Sequence, residues 1–311
     1  MIESFKGVIT KQENYRSIFS TATSEERNEN FKSYWNFSQD HSGRLIESEK
    51  DLEKKRAKLR FFQEKPVRSR KPLANPELFY ANYVHLKDDP KIFDKKTLLL
   101  TCIYKFARHE WVGISGAWDA IPSLAESKNI TEKISRVHLA EEFCHVRFFH
   151  EMFRTFHLDE VKWVPLGPLM QKVYQLFPYV PEMLMAPPAF VTELMGITFY
   201  QHVDALLDEV FYDEPEAKTR IRELLHEIMV DELAHIGQRR NFIGSWGIRV
   251  AKLMVSPLYR LFYKDIPESS LLFDIDSMVH DGLSFDYNNV SQELLERSWI
   301  PSYCKLSSVD N

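Results

Sequence analysis

Residues 137–145 of this 311-residue chain read Val-His-Leu-Ala-Glu-Glu-Phe-Cys-His, and residues 230–235 repeat the pattern as Val-Asp-Glu-Leu-Ala-His. Each copy is an acid followed by Glu-x-x-His, in a segment whose apolar residues recur at helical spacing. Positions three residues apart lie on one face of a helix, so the Glu and the His of each copy point the same way. We therefore predict two helices that each present a carboxylate beside an imidazole.

The two pairs are Glu142 with His145, and Glu232 with His235. A carboxylate oxygen beside an imidazole nitrogen suits a first-row transition metal such as iron or manganese. A third Glu-x-x-His, at 223–226, lies nine residues before the pair at 232 and therefore on the opposite face of the same helix. We expect this third pair to face solvent and to take no part in a site.

Two further acids occur in matching contexts, because Glu110-Trp-Val-Gly-Ile-Ser resembles Glu193-Leu-Met-Gly-Ile-Thr. Each lies in an apolar helical stripe, where an isolated carboxylate is expensive to bury. The glycine one turn later, Gly113 or Gly196, would leave room for a ligand sphere. Two divalent ions would balance the charge of four glutamates. We predict a dimetal site made of Glu110, Glu193 and the two Glu-x-x-His pairs.

The acid before each ligand glutamate is a candidate to support the metal ligands by hydrogen bonds. Glu141 and Asp231 are placed to accept hydrogen bonds from ligand histidines across the helices. The alternative is that both are surface acids. Cys144 points about 100° away from His145 on the helix, so we predict a packing role for it.

The composition indicates a nearly all-α fold, since glycine is scarce (10 residues) and no regular run of alternating strands occurs. The net charge of −5, without a basic patch, argues against a nucleic-acid partner. The three cysteines are odd in number and far apart, as expected in a reducing cytosol. No apolar run reaches the ~18 residues that span a bilayer, and the N-terminus lacks a signal-peptide core. We expect a cytoplasmic protein without a membrane span.

We predict one structural domain in three parts: an N-terminal arm and helix (1–90), a four-helix bundle (91–245) and a C-terminal helix and tail (246–311). Residues 1 to about 43 are expected to form a partly ordered arm, followed by a charged helix over about 44–63. The bundle helices are expected at about 95–120, at 129–156, after the Pro187-Pro188 pair, and at 215–242. The proline-rich connection before the third helix is interpreted as a long crossover with a short helix near 169–177.

These residues resemble the ferritin-like non-haem di-iron superfamily, in which two Glu-x-x-His helices and two single-Glu helices form a bundle. The resemblance covers about residues 95 to 245 and is closest in pattern to p-aminobenzoate N-oxygenase-type enzymes and acyl-carrier-protein desaturases. Ferritins are shorter than this chain. Ribonucleotide reductase small subunits usually carry a radical Tyr where this chain has Phe149.

The N-oxygenase-type enzymes carry an additional ligand His one turn before the Glu of the last motif. That place is Ile228 here, which departs from the pattern. The string His138-Leu-Ala-Glu-Glu142-Phe-Cys-His145 has the same form in the other half of the repeat. We therefore predict His138 as a third imidazole ligand, with a packing or outer-layer role as the alternative.

The resemblance implies a di-iron, or iron and manganese, monooxygenase that uses O₂ to oxygenate a small substrate in a biosynthetic pathway, by amine N-oxygenation or C–H hydroxylation. The alternatives are a desaturase-like oxidase of a carrier-bound acyl chain and a non-enzymatic iron-binding protein. Electrons would come from an external reductase or ferredoxin, because no flavin, nicotinamide or iron–sulfur signature occurs. A homodimer is an open alternative to a monomer.

Overall fold

The computed structural model describes residues 14–306, and within them the chain is almost entirely helical, which confirms the all-α prediction. Two short strands, Leu45–Ile46 (β1) and Asp51–Leu52 (β2), pair antiparallel. The α-helices described are Ser24–Ser42 (α1), Glu53–Glu64 (α2), Pro76–Asn82 (α3), Lys95–Trp118 (α4), Ile130–Thr155 (α5), Pro168–Leu176 (α6), Glu182–Val210 (α7), Pro215–Asn241 (α8), Ser245–Tyr263 (α9), Ile275–Leu283 (α10) and Gln292–Arg297 (α11). Short 3-10 turns lie at Glu47–Glu49, Pro90–Ile92, Phe177–Tyr179, Pro267–Leu271, Tyr287–Asn289 and Ser302–Cys304.

The four longest helices, α4, α5, α7 and α8, form the centre of the molecule. Helix α4 packs against α5, α5 against α8, and α8 against α7, while α7 approaches α4 over a shorter stretch. Helix α6 lies on α4, and α9 lies along α7. One hydrophobic core joins these helices and extends from Ile18 to Cys304. None of the helices within residues 14–306 is long and apolar enough to cross a membrane.

Local signals explain where the central helices begin. The Asp94 side chain accepts a hydrogen bond from the Thr97 N–H at the start of α4. The Asn129 side chain does the same for the Glu132 N–H at the start of α5. Such side chains satisfy N–H groups that have no partner inside the helix. Pro215 occupies the first turn of α8, where its missing N–H is harmless.

The predicted start of the third central helix after the proline pair is wrong, because α7 already begins at Glu182 and continues through Pro187 and Pro188. The two prolines leave the carbonyls of Met183 and Leu184 without their helical donors. The side chains of these two residues are 77% and 58% exposed, so water can reach this turn. The first turn and a half of α7 therefore tolerates prolines that would break a buried helix.

The N-terminal predictions also need correction. Residues Ser24–Ser42 form a regular helix, α1, capped by Thr23, whose side chain forms a reciprocal capping box with Glu26. The charged helix expected over 44–63 starts only at Glu53. Leu45 and Leu52, whose spacing of seven fits one helix face, are instead partners across β1 and β2.

The reason for the strand pair is the backbone at Lys50, which adopts the left-handed conformation (φ 49°) and reverses the chain. Helix α1 packs on α5 and α8, and its Phe31 and Tyr34 share a small cluster with Trp299. The N-terminal arm is thus a structural part of the molecule from residue 14 onward. Residues 1–13 of the predicted arm and 307–311 of the predicted tail lie outside the described residues.

Candidate metal centre

Helices α5, α7 and α8 bring six of the predicted ligands together in two groups that share one carboxylate. In each group the potential ligand atoms all lie within 4.8 Å of one another. One group, cluster A, consists of Glu142, His145 and Glu232, and the other, cluster B, consists of His138, Glu142, Glu193 and His235. Glu142 belongs to both, so its two carboxylate oxygens can serve two ions.

Cluster A lies between α5 and α8. The Nδ1 atom of His145 is 3.3 Å from Glu142 Oε2 and 3.3 Å from Glu232 Oε1. The side chain of His145 is fully buried, and that of Glu232 is 2% exposed. One imidazole nitrogen therefore faces two carboxylate oxygens in a site from which water is excluded.

Cluster B lies between α5, α7 and α8. The Nδ1 atom of His235 is 2.9 Å from Glu142 Oε1 and 4.0 Å from Glu193 Oε2. The Nε2 atom of His138 is 3.5 Å from Glu142 Oε1 and 3.3 Å from Glu193 Oε1. The rings of His138 and His235 lie 3.9 Å apart between centroids. The structure thus places His138 among the same carboxylates as the other members of cluster B.

Glu110 lies beside the clusters without belonging to either group. The Tyr200 hydroxyl, from α7, donates a hydrogen bond to Glu110 Oε1, and Glu110 Oε2 is buried with no hydrogen-bond partner. Burial, followed by the nearby charges of Glu142 and Glu232, raises the pKa of Glu110 well above its usual range. The second oxygen of Glu110 is therefore available as a metal ligand on the side of the site formed by α4.

Each Glu-x-x-His histidine uses its outer nitrogen for a hydrogen bond to an acid on the opposite helix. His145 Nε2 is 2.9 Å from Asp231 Oδ2, and His235 Nε2 is 2.8 Å from Glu141 Oε2. Because a carboxylate accepts, Nε2 donates in both pairs, and Nδ1 of each ring is directed towards the clusters. Glu141 and Asp231 are both 2% exposed, so they are interior acids.

The buried polar atoms fit a metal. The Nδ1 atoms of His145 and His235 and the Oε1 atom of Glu142 are buried and form no well-directed hydrogen bond, although His235 Nδ1 lies 2.9 Å from Glu142 Oε1. Unsatisfied buried polar groups each cost about 1–3 kcal/mol, and several together at one point are rare in folded proteins. The donor set of imidazole nitrogens and carboxylate oxygens is the one that iron and manganese accept.

The electrostatics of the site show strong coupling between its members. Burial, together with the charge of Glu142, raises the pKa of Glu232 to about 8. Burial also opposes ionisation of Glu142, but the two facing histidines outweigh it and hold the pKa of Glu142 well below its usual range. For His145 and His235 burial lowers the pKa, and the adjacent carboxylates more than reverse the effect. The protonation states of the buried carboxylates and histidines therefore depend on one another.

Sequence reasoning missed the residues that surround Asp231 and Glu141. Lys55 Nζ donates to Asp231 Oδ1 at 2.6 Å, and His41 Nε2 lies 3.0 Å from the same oxygen. On the other side, the Ser42 hydroxyl donates to Glu141 Oε1. Lys55 comes from α2, and the other two come from α1. The capping-box spacing at the start of α1 was the available signal for that helix, whereas nothing in the sequence singles out Lys55.

Arg239 was also missed. It reaches from α8 so that its Nε atom is 3.3 Å from Glu193 Oε1. Glu193 is the most exposed ligand candidate in clusters A and B, with a side chain that is 13% exposed, and it is the member beside this guanidinium. Burial raises the pKa of Glu193, but His138 and then Arg239 outweigh it, so the net shift is downward.

The interpretation of the paired glycines is right for one copy and wrong for the other. A Cβ atom at Gly196 would lie 3.2 Å from Glu232 Oε2, tight against a ligand carboxylate. A Cβ atom at Gly113 would meet only the ring of Tyr174, at an ordinary 3.5 Å. A side chain at Gly113 would therefore contact α6 and not the metal ligands, so the two glycines of the sequence repeat do not have the same surroundings.

The third Glu-x-x-His pair lies away from the clusters. The side chain of Glu223 is 50% exposed, and His226 Nε2 lies 3.4 Å from Asp204 Oδ1. Cys144 is buried, and its thiol lies 3.2 Å from Asp51 Oδ1, away from the ligand atoms.

A scan against protein-family models finds no match to this chain. Searches of curated proteins and of solved structures likewise find no significant match.

Proposed function

We propose that this chain is a ferritin-like dimetal oxidoreductase that uses O₂ to oxygenate a small substrate. The observation that carries the proposal is the pair of buried clusters that share Glu142, with the unpartnered Nδ1 atoms of His145 and His235 facing the carboxylates. Iron is the metal we favour, with an iron–manganese pair as the variant. The absence of a nearby lysine or arginine on cluster A, among the described residues, supports a metal cation as its counter-charge.

The order of ligands along the helices supports the ferritin-like assignment. In the proposed site α4 and α7 would each supply one glutamate, Glu110 beside the two clusters and Glu193 within cluster B, whereas α5 and α8 would each supply a Glu-x-x-His pair. This is the ligand distribution of di-iron carboxylate bundles. The connection between α5 and α7, which contains α6, takes the place of the long crossover in such bundles.

Two iron ions in this site would supply the redox chemistry that activates O₂, and the protein would supply position and shielding. Asp231 and Glu141 hold the proton on Nε2 of the two histidines and fix the orientation of both rings. Tyr200 holds Glu110 by its hydroxyl. Phe106 stacks on Phe199 at 4.2 Å on the α4–α7 side and keeps water from that wall of the site.

The position of His138 supports oxygenation over desaturation. A third imidazole in a dimetal carboxylate site is the feature by which the N-oxygenase-type enzymes differ from the desaturases, and His138 lies in cluster B. We therefore favour a cytoplasmic monooxygenase acting on an amine nitrogen or an activated C–H bond. A desaturase-like oxidase with a carrier-bound substrate remains the second candidate. Either reaction needs electrons from an external reductase or ferredoxin.

Addition of Fe(II) to the metal-free protein under anaerobic conditions, followed by O₂, tests the proposal. We expect two irons per chain, a transient visible absorption on mixing with O₂, and continued O₂ consumption when a reductant is supplied. Glu142→Gln should abolish binding of both ions, because both clusters use this residue. His226→Ala, in the exposed Glu-x-x-His, is the matched control and should bind both. Many irons per chain with slow oxidation would instead identify an iron-storage protein and overturn the proposal.

A further inference from the structure

Exposed apolar side chains are concentrated on one part of the molecule. Fifteen large hydrophobic residues within residues 14–306 are well exposed, and ten of them lie either between residues 169 and 184 or on α9. We call this surface the α6–α9 face. Its apolar members are Leu169, Met170, Val173, Leu176, Tyr179, Met183, Leu184, Trp246, Leu253 and Leu261. Scattered exposed leucines are ordinary, but a concentration of this kind marks an interaction site.

Helix α9 is apolar on two sides. Its inner side, with Ile248, Ala251 and Val255, is buried against the core. Trp246, Leu253 and Leu261 follow one another at helical spacing along the outer side and are 67%, 79% and 65% exposed. A helix that only covers a core would carry polar residues on its outer side.

The two segments of the α6–α9 face belong to the same side of the molecule. His109, on α4, hydrogen-bonds the Tyr174 hydroxyl of α6 at 3.0 Å, and its ring lies 4.7 Å from that of Phe262 on α9. At the other end of α9, a Cβ atom built on Gly247 would lie 3.7 Å from Pro187 of α7. Helices α6 and α9 therefore both contact His109 of α4, and α9 also meets the start of α7.

The charge of this face is opposite to that of the whole chain. Residues 167–184 and 245–265 contain five basic residues and two acids, a formal charge of +3, in a chain of net charge −5. Arg260 pairs with Asp276 at 2.6 Å. Within residues 14–306, no acid lies within 4.0 Å of the charged groups of Lys172, Arg249 or Lys264. Positive charge and exposed apolar side chains thus occur together.

We propose that the α6–α9 face attaches the protein peripherally to an anionic lipid bilayer. Interfacial helices combine an exposed apolar stripe with basic residues, and tryptophan and tyrosine suit the headgroup level. Trp246 and Tyr179 are the aromatic members of the face, at 67% and 75% exposure. Association of two copies through this face would bring like charges together, which disfavours a symmetric dimer as the occupant. The protein would rest on the bilayer, since no described helix can span it.

Vesicle flotation of the full-length protein tests this inference, and the result does not depend on the metal site. We expect binding to vesicles of phosphatidylcholine with phosphatidylserine, little binding to phosphatidylcholine alone, and weaker binding at high salt. Arg249→Glu with Lys264→Glu should reduce binding at least about tenfold, because each basic residue near such a surface contributes to attraction. Lys91→Glu, an exposed lysine elsewhere, is the matched charge control.

A second pair of variants tests the apolar contribution. Leu176→Glu with Leu253→Glu replaces side chains that are 61% and 79% exposed, so folding should be unaffected, and thermal unfolding checks this. Binding should again fall at least about tenfold. Tyr212→Glu, at 77% exposure outside the face, is the control. Equal binding by all variants, or absence of binding to anionic vesicles, would overturn the proposal. A dimer in sedimentation equilibrium that the leucine variants dissociate would assign the face to a second copy and also overturn it.

Discussion

Replacement of Asp231 by asparagine separates two roles that one carboxylate performs. Its Oδ2 atom holds His145 Nε2 at 2.9 Å, and its Oδ1 atom accepts from Lys55 Nζ at 2.6 Å. The side chains of Asp231 and Lys55 are 1% and 4% exposed. Burial opposes the charge on Lys55, but the carboxylates of Asp231 and Glu141 outweigh it and raise its pKa. In Asp231→Asn the lysine stays charged in the interior without its nearest carboxylate.

We expect Asp231→Asn to lower the free energy of unfolding of the metal-free protein by about 3–5 kcal/mol, the range for a buried ion pair that loses one partner. Its Co(II) affinity, measured at cluster A by absorbance, should fall by about 10–100-fold because the ring of His145 loses its anchor. Glu141→Gln is the matched variant, since its hydrogen bonds join it to His235, Ser42 and Tyr34, and it acts on Lys55 only through its charge and without a hydrogen bond. Its loss of stability should be only about 1–3 kcal/mol.

Urea unfolding with a chelator present measures the stability of both variants. The double variant Asp231→Asn with Lys55→Met should recover most of the lost stability, because it removes the buried charge, and should not recover Co(II) affinity. If Asp231→Asn is no more destabilising than Glu141→Gln, or if Lys55→Met restores nothing, the unpaired charge of Lys55 is not the cause of the lost stability. Unchanged Co(II) affinity would refute the role assigned to the Asp231–His145 hydrogen bond.

Three further predictions concern the metal ligands. His138→Ala should weaken only the ion of cluster B, by at least about tenfold, which a two-step Co(II) titration resolves; His226→Ala should change neither step. Metal affinity should rise with pH by at least about tenfold per unit between about pH 6 and about pH 8, because the pKa of Glu232 is raised to about 8 and its proton must leave for the ion to bind. The pKa values of His145 and His235 are also raised, so the loss of their protons steepens this dependence; a pH-independent affinity would contradict it. Gly196→Ala should weaken metal binding through the 3.2 Å approach of its Cβ atom to Glu232, whereas Gly113→Ala should leave binding intact. Gly113→Ala should gain up to ~1 kcal/mol of helix stability in urea unfolding, and Gly196→Ala should gain less because of its crowded contact.

Much of the central architecture follows from short-range signals. The caps Asp94 and Asn129 mark helix starts, because their side chains satisfy N–H groups that the helix leaves free. The spacing of Glu142 from His145, and of Glu232 from His235, fixes a common face wherever the segment is helical. These features could be predicted because each depends on residues within one or two turns.

Features that depend on contacts distant in sequence were not predictable in the same way. Lys55 meets Asp231 across 176 residues of chain, and Arg239 meets Glu193 across 46. Leu45 and Leu52 fit a helix face by spacing and became cross-strand partners because Lys50 turns the chain. In each case the residue type can be read from the sequence, but its partner depends on how distant segments of the chain pack together.

The hydrogen bonds from α1 to Asp231 and Glu141 also have a consequence for synthesis and folding. Ser42 and His41 leave the ribosome about 190 residues before Asp231, which corresponds to roughly 10–40 s at ~5–20 residues per second. During that interval α1 cannot reach its partner on α8, and the hydrogen bonds that hold His145 are incomplete. Ion loading should therefore follow the synthesis of α8. A nascent chain arrested before α8 should bind no metal at cluster A, even though His145 and Glu142 are already helical.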